Sequence, residues 1–539
     1  MSAVTRRLAA LGCVGLLAST VAACGSSTKT GTSSGKPALT MGAVRTFSSL
    51  DPANAYDDPS WTIYYNIYQN LMSYQPGAST PSPDAAQKCG FNGNLTVYSC
   101  TLRSGLKFTN GDTLDAAAVK YSFDRQMKIN PPDKATSGPG PLVANIASVG
   151  TQGSLGVVFH LKAPDAAFPG EIAGGAGSIV DPKVFPADKP YNGTSPVGSG
   201  VYKVDSAEQH TINGQNQGQS ITLSVNPDYK GAATTPQNSK MTVRYFDTST
   251  AMMQALSKGK IDFTAADLSP QQVTQAQNNQ QIAQGVQITS GPGTSDRLLM
   301  FDLKDKPFTN VYVRRAVASL IDSKALATGV QQGQADPLYS IIPSGIGGHT
   351  TPFADEYNGP NVNEARQYLS DAGVSTPVSF SLAYAQNSTA GDAEAAEVKK
   401  QLENGGLFKV TLNPLHDVNA LTGANGTQSD KLPAFLGNWY ADYPDPSDYV
   451  LPLMGAYNQH YNNSQIVNKL LPAAAKQADR LNTNQIFAQV QQTIAKDAPM
   501  VPLWQGKQYL ASQADVVGLS LTVDTTNQLR FWLVGKSGS

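Results

Sequence analysis

The amino-acid sequence predicts a mixed α/β protein with several domains. Segments with the two-residue period of strands alternate with segments of helical period along most of the chain. A predicted helix over Asp392–Leu402 lies between predicted strands Val378–Leu382 and Val410–Leu412, which is the order of a βαβ unit. A chain of 539 residues exceeds what one hydrophobic core organises, so two or three domains are expected.

Local patterns predict the remaining elements in chain order. Helical spacing predicts a helix over Trp61–Met72, and Asp115 is placed to cap a helix that turns Val119 and Phe123 inward. The other predicted strands are Val157–Leu161, Ile221–Val225, Met241–Phe246, Ile261–Phe263 and Arg297–Leu303. The other predicted helices are Ser249–Leu256, Val311–Ile321, Asn363–Ala372 and a helix capped by Asn482 that runs to Ala495.

The N-terminus has the pattern of a bacterial export signal. Arg6 and Arg7 precede an apolar run from Leu8 to Val21 that is too short to span a bilayer stably. The run ends in the sequence VAACG, which resembles a lipobox, so residues 1–23 are expected to be removed and Cys24 to carry diacylglycerol. Residues 24–37 then form a flexible tether at the outer face of the cytoplasmic membrane. The alternative is an ordinary secretory signal with a chance cysteine.

Charge and cysteine content narrow the class of protein further. A formal net charge of −1 argues against a nucleic-acid binder, which needs a basic face. Outside the signal and the lipid site, the remaining cysteines are Cys89 and Cys100, separated by a polar turn. In an exported chain this spacing favours a hairpin disulfide, and two free thiols are the alternative.

The sequence contains no convincing catalytic or metal motif. The five histidines lack ligand spacing, and neither a nucleophile–base pair nor a phosphate-binding loop is visible, so no cofactor is expected. Asp442, Asp445 and Asp448 recur every three residues, but the intervening prolines and the missing glycine break the calcium-loop pattern. The chain is therefore not interpreted as an enzyme. An exported hydrolase is the alternative from another class.

The stretch from Phe435 to Pro446 is the strongest candidate for a binding site. Its apolar start predicts a short buried strand that ends in a proline-containing loop. Trp439, Tyr440 and Asp442 follow at the strand end, where α/β proteins bind ligands. A carboxylate beside aromatic rings suits a small cationic group with an apolar body. The alternative is a core tryptophan with a solvated aspartate.

Six segments in order resemble the family 5 extracellular solute-binding proteins of ABC importers, the dipeptide- and oligopeptide-binding group. The resemblance covers about Ala38 to Arg530. Its segments are Leu102–Asp112 (LRSGLKFTNGD), Pro196–Tyr202 (PVGSGVY), Asn226–Tyr229 (NPDY), Gly259–Asp262 (GKID), Val313–Ala316 (VRRA) leading to Ile321 and Asp322, and Trp439–Pro446 (WYADYPDP).

The resemblance implies a periplasmic-binding-protein-like fold, with two lobes joined by a two-strand hinge and one inserted domain. Domain I would comprise residues 38–70, 192–290 and 504–539, domain II residues 71–191, and domain III residues 291–503. The hinge strands would lie near Gly291–Leu298 and Val501–Tyr509. Closure of domains I and III would trap the solute.

The resemblance also implies the site and the partners. Asp442 would receive the α-amino group of a peptide, and Trp439 and Tyr440 would contact it. The implied receptor is a monomer that delivers peptide to an ABC permease. Some oligopeptide binders carry an arginine for the peptide C-terminus where this chain has Leu436, so the carboxylate partner is unassigned. A non-peptide solute, such as a nickel chelate or a sugar, is therefore the alternative ligand.

Overall fold

A computed structural model describes residues 35–538, apart from 132–133, 135, 213–214, 279–284, 387–389, 417–431 and 455–460. The predicted signal peptide, Cys24 and most of the predicted tether lie outside the described residues. Every helix within the described ranges is too short or too polar to span a bilayer.

The strands are numbered here in chain order. They are β1 Ala38–Ala43, β2 Met72–Ser73, β3 Ser82–Pro83, β4 Ala86–Phe91, β5 Val97–Leu102, β6 Ile146–Gln152, β7 Gly156–Leu161, β8 Tyr202–Ile212, β9 Gln215–Val225, β10 Lys240–Tyr245, β11 Phe263–Thr264, β12 Val286–Phe301, β13 Ala335–Pro337, β14 Val378–Ala385, β15 Phe408–Leu415, β16 Ala434–Trp439, β17 Met500–Gln513, β18 Val516–Val517 and β19 Gly535–Lys536.

The helices of six or more residues are numbered in the same way. They are α1 Asp58–Ile67, α2 Ala116–Ile129, α3 Ser249–Ser257, α4 Pro270–Gln277, α5 Val311–Ala318, α6 Pro352–Tyr357, α7 Val362–Asp371, α8 Gly391–Glu403 and α9 Asn484–Asp497.

The described residues form one large mixed sheet. Its strand order is β15-β14-β16-β12-β17-β11-β1-β10-β9-β8, and β13 pairs with β17 outside this path. Strands β14 and β15 are parallel and are connected through α8, which confirms the predicted βαβ unit. The predicted mixed α/β class is likewise confirmed.

A separate sheet carries the cysteine pair. Strands β4, β5, β7 and β6 lie side by side in that order, and all their pairings are antiparallel. Cys89 of β4 faces Cys100 of β5 and forms a disulfide with it. The predicted hairpin disulfide is therefore present, and the free-thiol alternative does not apply.

Helix boundaries show where local patterns succeed and fail. Asp115 caps α2 by accepting from the amides of Ala117 and Ala118, as predicted. The prediction that Asn482 caps the last long helix is wrong. A 3₁₀ turn occupies Arg480–Thr483, and α9 begins only after it.

The first predicted helix is also displaced from Trp61–Met72. Helix α1 begins at Asp58, because Asp57 accepts from the Ser60 amide as its N-cap. It ends at Ile67, whose carbonyl accepts from the amide of Gly200 at 2.9 Å. A β-carbon on Gly200 would overlap the helix end, so this tertiary contact stops the helix before Met72.

Two core clusters lie on either side of the middle of the large sheet. The first core cluster consists of buried apolar side chains between Leu39 and Phe263, with Tyr443 and residues of the range Leu510–Val534. The second core cluster lies between Leu298 and Leu503. Strands β12 and β17 pair with each other and pass from one cluster towards the other.

The pairing of β12 with β17 is irregular at its centre. The register shifts between Pro292 and Asp296 and again between Arg297 and Leu298. This part of β12 coincides with the first predicted hinge strand. The hinge movement and the boundaries of domains I, II and III stay predictions.

Candidate functional site

The stretch from Phe435 to Pro446 has the predicted form of a strand that ends in a loop. Strand β16 ends at Trp439, which lies opposite Asp296 of β12. The loop is held by its own carboxylates, because Asp448 Oδ2 accepts from the Asp442 amide at 2.6 Å. Tyr443 packs into the first core cluster, so the loop reaches from the second cluster to the first.

Asp445 and Asp448, two of the three regularly spaced aspartates, are bound by a guanidinium and by a backbone amide, respectively. Asp445 is bound by Arg480 through Nε and an Nη at 2.7 and 2.8 Å. Asp448 is buried and accepts the amide described above. Within the described ranges, His, Cys, Asp and Glu side chains form no group of three or more that is arranged to hold a metal ion.

Asp442 is half-buried, and its carboxylate is bound by a hydroxyl rather than by a cation or an amide of the described residues. Its carboxylate accepts a hydrogen bond from the hydroxyl of Tyr56. Burial raises the pKa of the Asp442 carboxyl to about 7, and the charge of Asp58 adds to this rise, while the Tyr56 bond lowers it. No lysine, arginine or histidine among the described residues forms an ion pair with Asp442.

An aromatic wall that sequence patterns did not identify lies beside Asp442. The ring of Tyr56 stacks on Trp61, with centroids 5.6 Å apart and planes 28° apart. The backbone of Gly175 lies so close to Trp61 that an added β-carbon would be 2.5 Å from the indole. The sequence pattern predicts only that Trp61 begins a helix, and its stacking on Tyr56 is what relates it to the site.

The side chains of Trp439 and Tyr440 have different surroundings. The Trp439 amide donates to Asp296 Oδ1 at 2.9 Å, and the side chain packs against the second core cluster. Neither Trp439 nor Asp442 lines either of the two cavities described below. Tyr440 is 49% exposed and lines both of them.

The larger cavity has a volume of about 640 Å³. Its walls come from β1, α1, β10, β17 and the loop after β11, so residues distant in sequence converge there. Arg45 contributes the main positive charge and is paired with Asp58 at 3.4 Å and Asp267 at 3.0 Å. Because two carboxylates surround one guanidinium, this part of the wall carries excess negative charge.

The smaller cavity has a volume of about 280 Å³ and continues from the larger one. Leu268, Ser295, Tyr440 and Lys507 line both cavities. The two spaces therefore meet beside the strands β12 and β17.

Leu436 offers no anchor for a ligand carboxylate. It is fully buried in the second core cluster, within β16. The position that carries an arginine in some oligopeptide binders is thus part of the apolar core here.

A family model supplies the decisive comparison. Residues 80–461, more than half of the chain, match the model described as bacterial extracellular solute-binding proteins, family 5 Middle. The chain belongs to family 5. Family 5 proteins are, by this name, extracellular proteins that bind solutes.

Individual relatives of this family 5 chain cover nearly its full length. It is 26% identical to the probable D,D-dipeptide-binding periplasmic protein DdpA of Escherichia coli, over 90% of this chain and 91% of the relative. It is 25% identical to the glutathione-binding protein GsiB of Salmonella paratyphi A, over 89% and 91%. The fold matches that of the ABC transporter-associated periplasmic binding protein DppA of Helicobacter pylori, solved with the peptide STSA, at a TM-score of 0.74 and 21% identity, over 93% and 98%.

Proposed function

We propose that this family 5 protein is the receptor of an ABC importer that captures peptides through their free amino terminus. Asp442 accepts the α-ammonium group, Tyr440 contacts the peptide, and the larger cavity holds its body. Closure about β12 and β17 then traps the peptide before it is delivered to the permease. The relatives that are named for binding D,D-dipeptides and glutathione support a ligand of this class.

The state of Asp442 is the observation that carries the proposal. A half-buried carboxyl whose bonding partner is a neutral hydroxyl has no charge to compensate its ionised form. A ligand ammonium would supply that charge, and a buried pair of this kind is favourable only when both partners are present. The stacked rings of Tyr56 and Trp61 lie beside this carboxyl and supply aromatic surface next to the proposed pair.

The size of the larger cavity agrees with a small peptide. Ligand pockets typically measure about 300–1,000 Å³, and the 640 Å³ cavity lies within that range. Its walls hold charged groups at several points, so water molecules would bridge contacts that differ from one peptide to another.

Calorimetry with matched ligands tests the proposal. A dipeptide with a free amino terminus should bind the wild-type protein, and its N-acetylated form should bind at least tenfold more weakly. Asp442→Asn should weaken binding of the free peptide at least tenfold, since it removes one partner of a charged pair. Asp371→Asn, an exposed acid on α7, serves as the control and should leave affinity unchanged.

Two results would refute this assignment. Equal affinity of free and acetylated peptides would exclude ammonium recognition, and an unchanged affinity of Asp442→Asn would remove Asp442 from the site. Incubation with a mixed peptide pool separates a receptor from a hydrolase. Steady product release at catalytic protein concentrations would contradict the receptor.

The proposal includes a lipid anchor at Cys24. Its support is the sequence around residues 6–25, with a positive start, an apolar run and small residues before the cysteine. Cys24→Ala should release the protein from membranes into the medium or the periplasm. Retention of this variant in the membrane fraction would refute lipidation at this residue.

A further inference from the structure

Asp296 is a buried carboxyl whose bonding is incomplete. It lies in β12 and is 1% exposed. Oδ1 accepts from the Trp439 amide at 2.9 Å, but Oδ2 has no hydrogen-bond partner among the described residues. Buried carboxylates normally have several donors, so a half-bonded one at the edge of a ligand cavity requires a physical explanation.

Arg297, the cation next to Asp296 in the sequence, is bound by another carboxylate. The guanidinium of Arg297 is held by Glu394, with Nε and an Nη at 2.9 and 2.6 Å from Oε2. Glu394 also accepts from the indole of Trp504 at 2.7 Å. Burial raises the pKa of Asp296 well above its ordinary value, and its remaining hydrogen bonds only partly oppose this rise.

The other cation of the cavity wall is also paired. Lys507 lies 2.7 Å from Asp336. In the part of the chain that the structure describes, Asp296 forms no ion pair, whereas Arg297 and Lys507 each have a carboxylate. Asp296 is therefore the carboxyl on this wall that lacks a counter-charge.

The smaller cavity has polar walls and, among them, an aromatic and apolar part that suits an aliphatic stem. Asp296 lines it together with the aromatic side chains of Tyr440, Trp504 and Tyr509 and with apolar Val273. Aliphatic stems of lysine and arginine pack on such surfaces, and their cationic heads are attracted to aromatic faces. The volume of about 280 Å³ suits a part of a ligand rather than a whole peptide.

The backbone around Asp296 permits the carboxyl to adjust. Oδ2 is shielded from solvent in this structure, so a ligand head reaches it only after a local shift. The β12–β17 register changes on both sides of the Asp296 and Arg297 positions. The regular ladder is thus already interrupted where the shift is needed.

We infer that the smaller cavity is a subsite for a basic side chain of the ligand, with Asp296 as the counter-charge of its ammonium or guanidinium group. The inference rests on the proposed function, because the larger cavity must hold the rest of the peptide. It makes this receptor selective for peptides that carry a second positive charge besides the amino terminus. The excess negative charge around Arg45 acts in the same direction.

Calorimetry with dipeptides that differ in one charge tests the inference. Lys-Ala and Ala-Lys are compared with norleucine-Ala and Ala-norleucine, which retain the aliphatic stem without the ammonium group. At one of the two positions, lysine should bind the wild-type protein at least tenfold more tightly than norleucine. This comparison needs no variant, so it does not depend on how a substitution folds.

Asp296→Asn then assigns the preference to its residue. Asparagine keeps an oxygen that can accept from the Trp439 amide, so the strand pairing is retained. The lysine preference should fall to threefold or less, while norleucine peptides keep their affinity within threefold. Asp336→Asn, which removes an exposed acid paired with Lys507, should leave the lysine preference intact.

The outcomes separate the two proposals. If norleucine peptides bind the wild-type protein and lysine brings no gain at either position, the subsite is refuted and the peptide receptor stands. A lysine preference that survives in Asp296→Asn would also refute the role of Asp296. If none of the four dipeptides binds, both the receptor and the subsite are overturned.

Discussion

Asp51 and Asp442 are two acids that differ in burial and in the partners that bind them. Asp51 is fully buried, and both its carboxylate oxygens accept from Arg125 at 2.8 and 2.6 Å. It also accepts from the amides of Ala53 and Tyr191. Asp442 is half-buried, its carboxylate is bound by a neutral phenol, and no cation pairs with it among the residues that the structure describes.

The difference is between an acid whose charge is satisfied within the fold and an acid for which we propose a ligand partner. A structural carboxylate has its charge and its lone pairs satisfied within the chain, as at Asp51. A carboxyl with a raised pKa and no internal cation, as at Asp442, contributes little to the fold and favours a functional role. Four measurements test this contrast between Asp51 and Asp442.

Asp51→Ala should produce the largest effect. The change leaves the Arg125 guanidinium buried without its partner, and such losses cost about 3–5 kcal/mol of unfolding free energy. Urea denaturation followed by circular dichroism would measure it. The paired variant Asp51→Leu with Arg125→Met should recover much of the loss, because no unpaired charge remains. A loss below about 1 kcal/mol for Asp51→Ala would contradict the structural role.

Peptide affinity should depend on pH through Asp442. The ammonium binds the ionised carboxylate, and the pKa of Asp442 in the empty protein is raised to about 7. Affinity should therefore fall as pH drops below 7, by up to about tenfold per pH unit. Calorimetry between pH 5.5 and 7 would show this slope, and Asp442→Asn should abolish it. A flat profile for the wild-type protein would contradict ammonium binding at Asp442.

The stability of the empty protein should show the opposite pH dependence. Because the folded pKa of Asp442 is raised, this group's contribution to stability is full below its unfolded pKa of about 4 and is lost as pH rises through about 7. Asp442→Asn lacks this loss, so it should be more stable than the wild-type protein at pH 8. Urea denaturation at pH 4 and pH 8 would test this. A variant that is less stable than the wild type at pH 8 would show that Asp442 serves the fold.

The smallest effect is expected at the exposed pair of Lys120 and Asp124. Both side chains are 43% exposed and lie four residues apart on α2. Water screens such pairs, so Lys120→Ala should change the unfolding free energy by no more than about 0.5 kcal/mol. A loss comparable to that of Asp51→Ala would show that pairing alone, rather than burial, decides the energetic role.

Local patterns were sufficient for the elements whose causes lie nearby in the chain. The cap of α2 by Asp115 and the βαβ unit around α8 depend on residues within a few turns of each other. The disulfide between Cys89 and Cys100 likewise joins residues that are close in the chain, 11 positions apart. Strand β16 and its loop were also predicted, since an apolar run and prolines define them.

The rest depended on contacts between distant residues. Tyr56 meets Asp442 across 386 positions, and no periodicity relates them. Strand β12 begins at Val286, although Gly291, Pro292 and Gly293 resemble strand breakers, because pairing with β17 supports the whole length. The incomplete bonding of Asp296 could not be predicted either, since it depends on which cations other residues bind first.

Tyr56 comes before α1 in the chain and Asp442 follows β16, so their hydrogen bond joins two segments that are distant in sequence. If Asp442 receives a ligand ammonium as proposed, that ligand competes with the phenol for the carboxylate. A neutral hydrogen bond contributes about 0.5–1.5 kcal/mol, less than a pair between charged groups. Under the proposed function, an ammonium that binds Asp442 and also donates to the Tyr56 oxygen would make separation of the two segments more costly than in the empty protein. A permease would then distinguish cargo-bearing from vacant receptors by how long each remains closed.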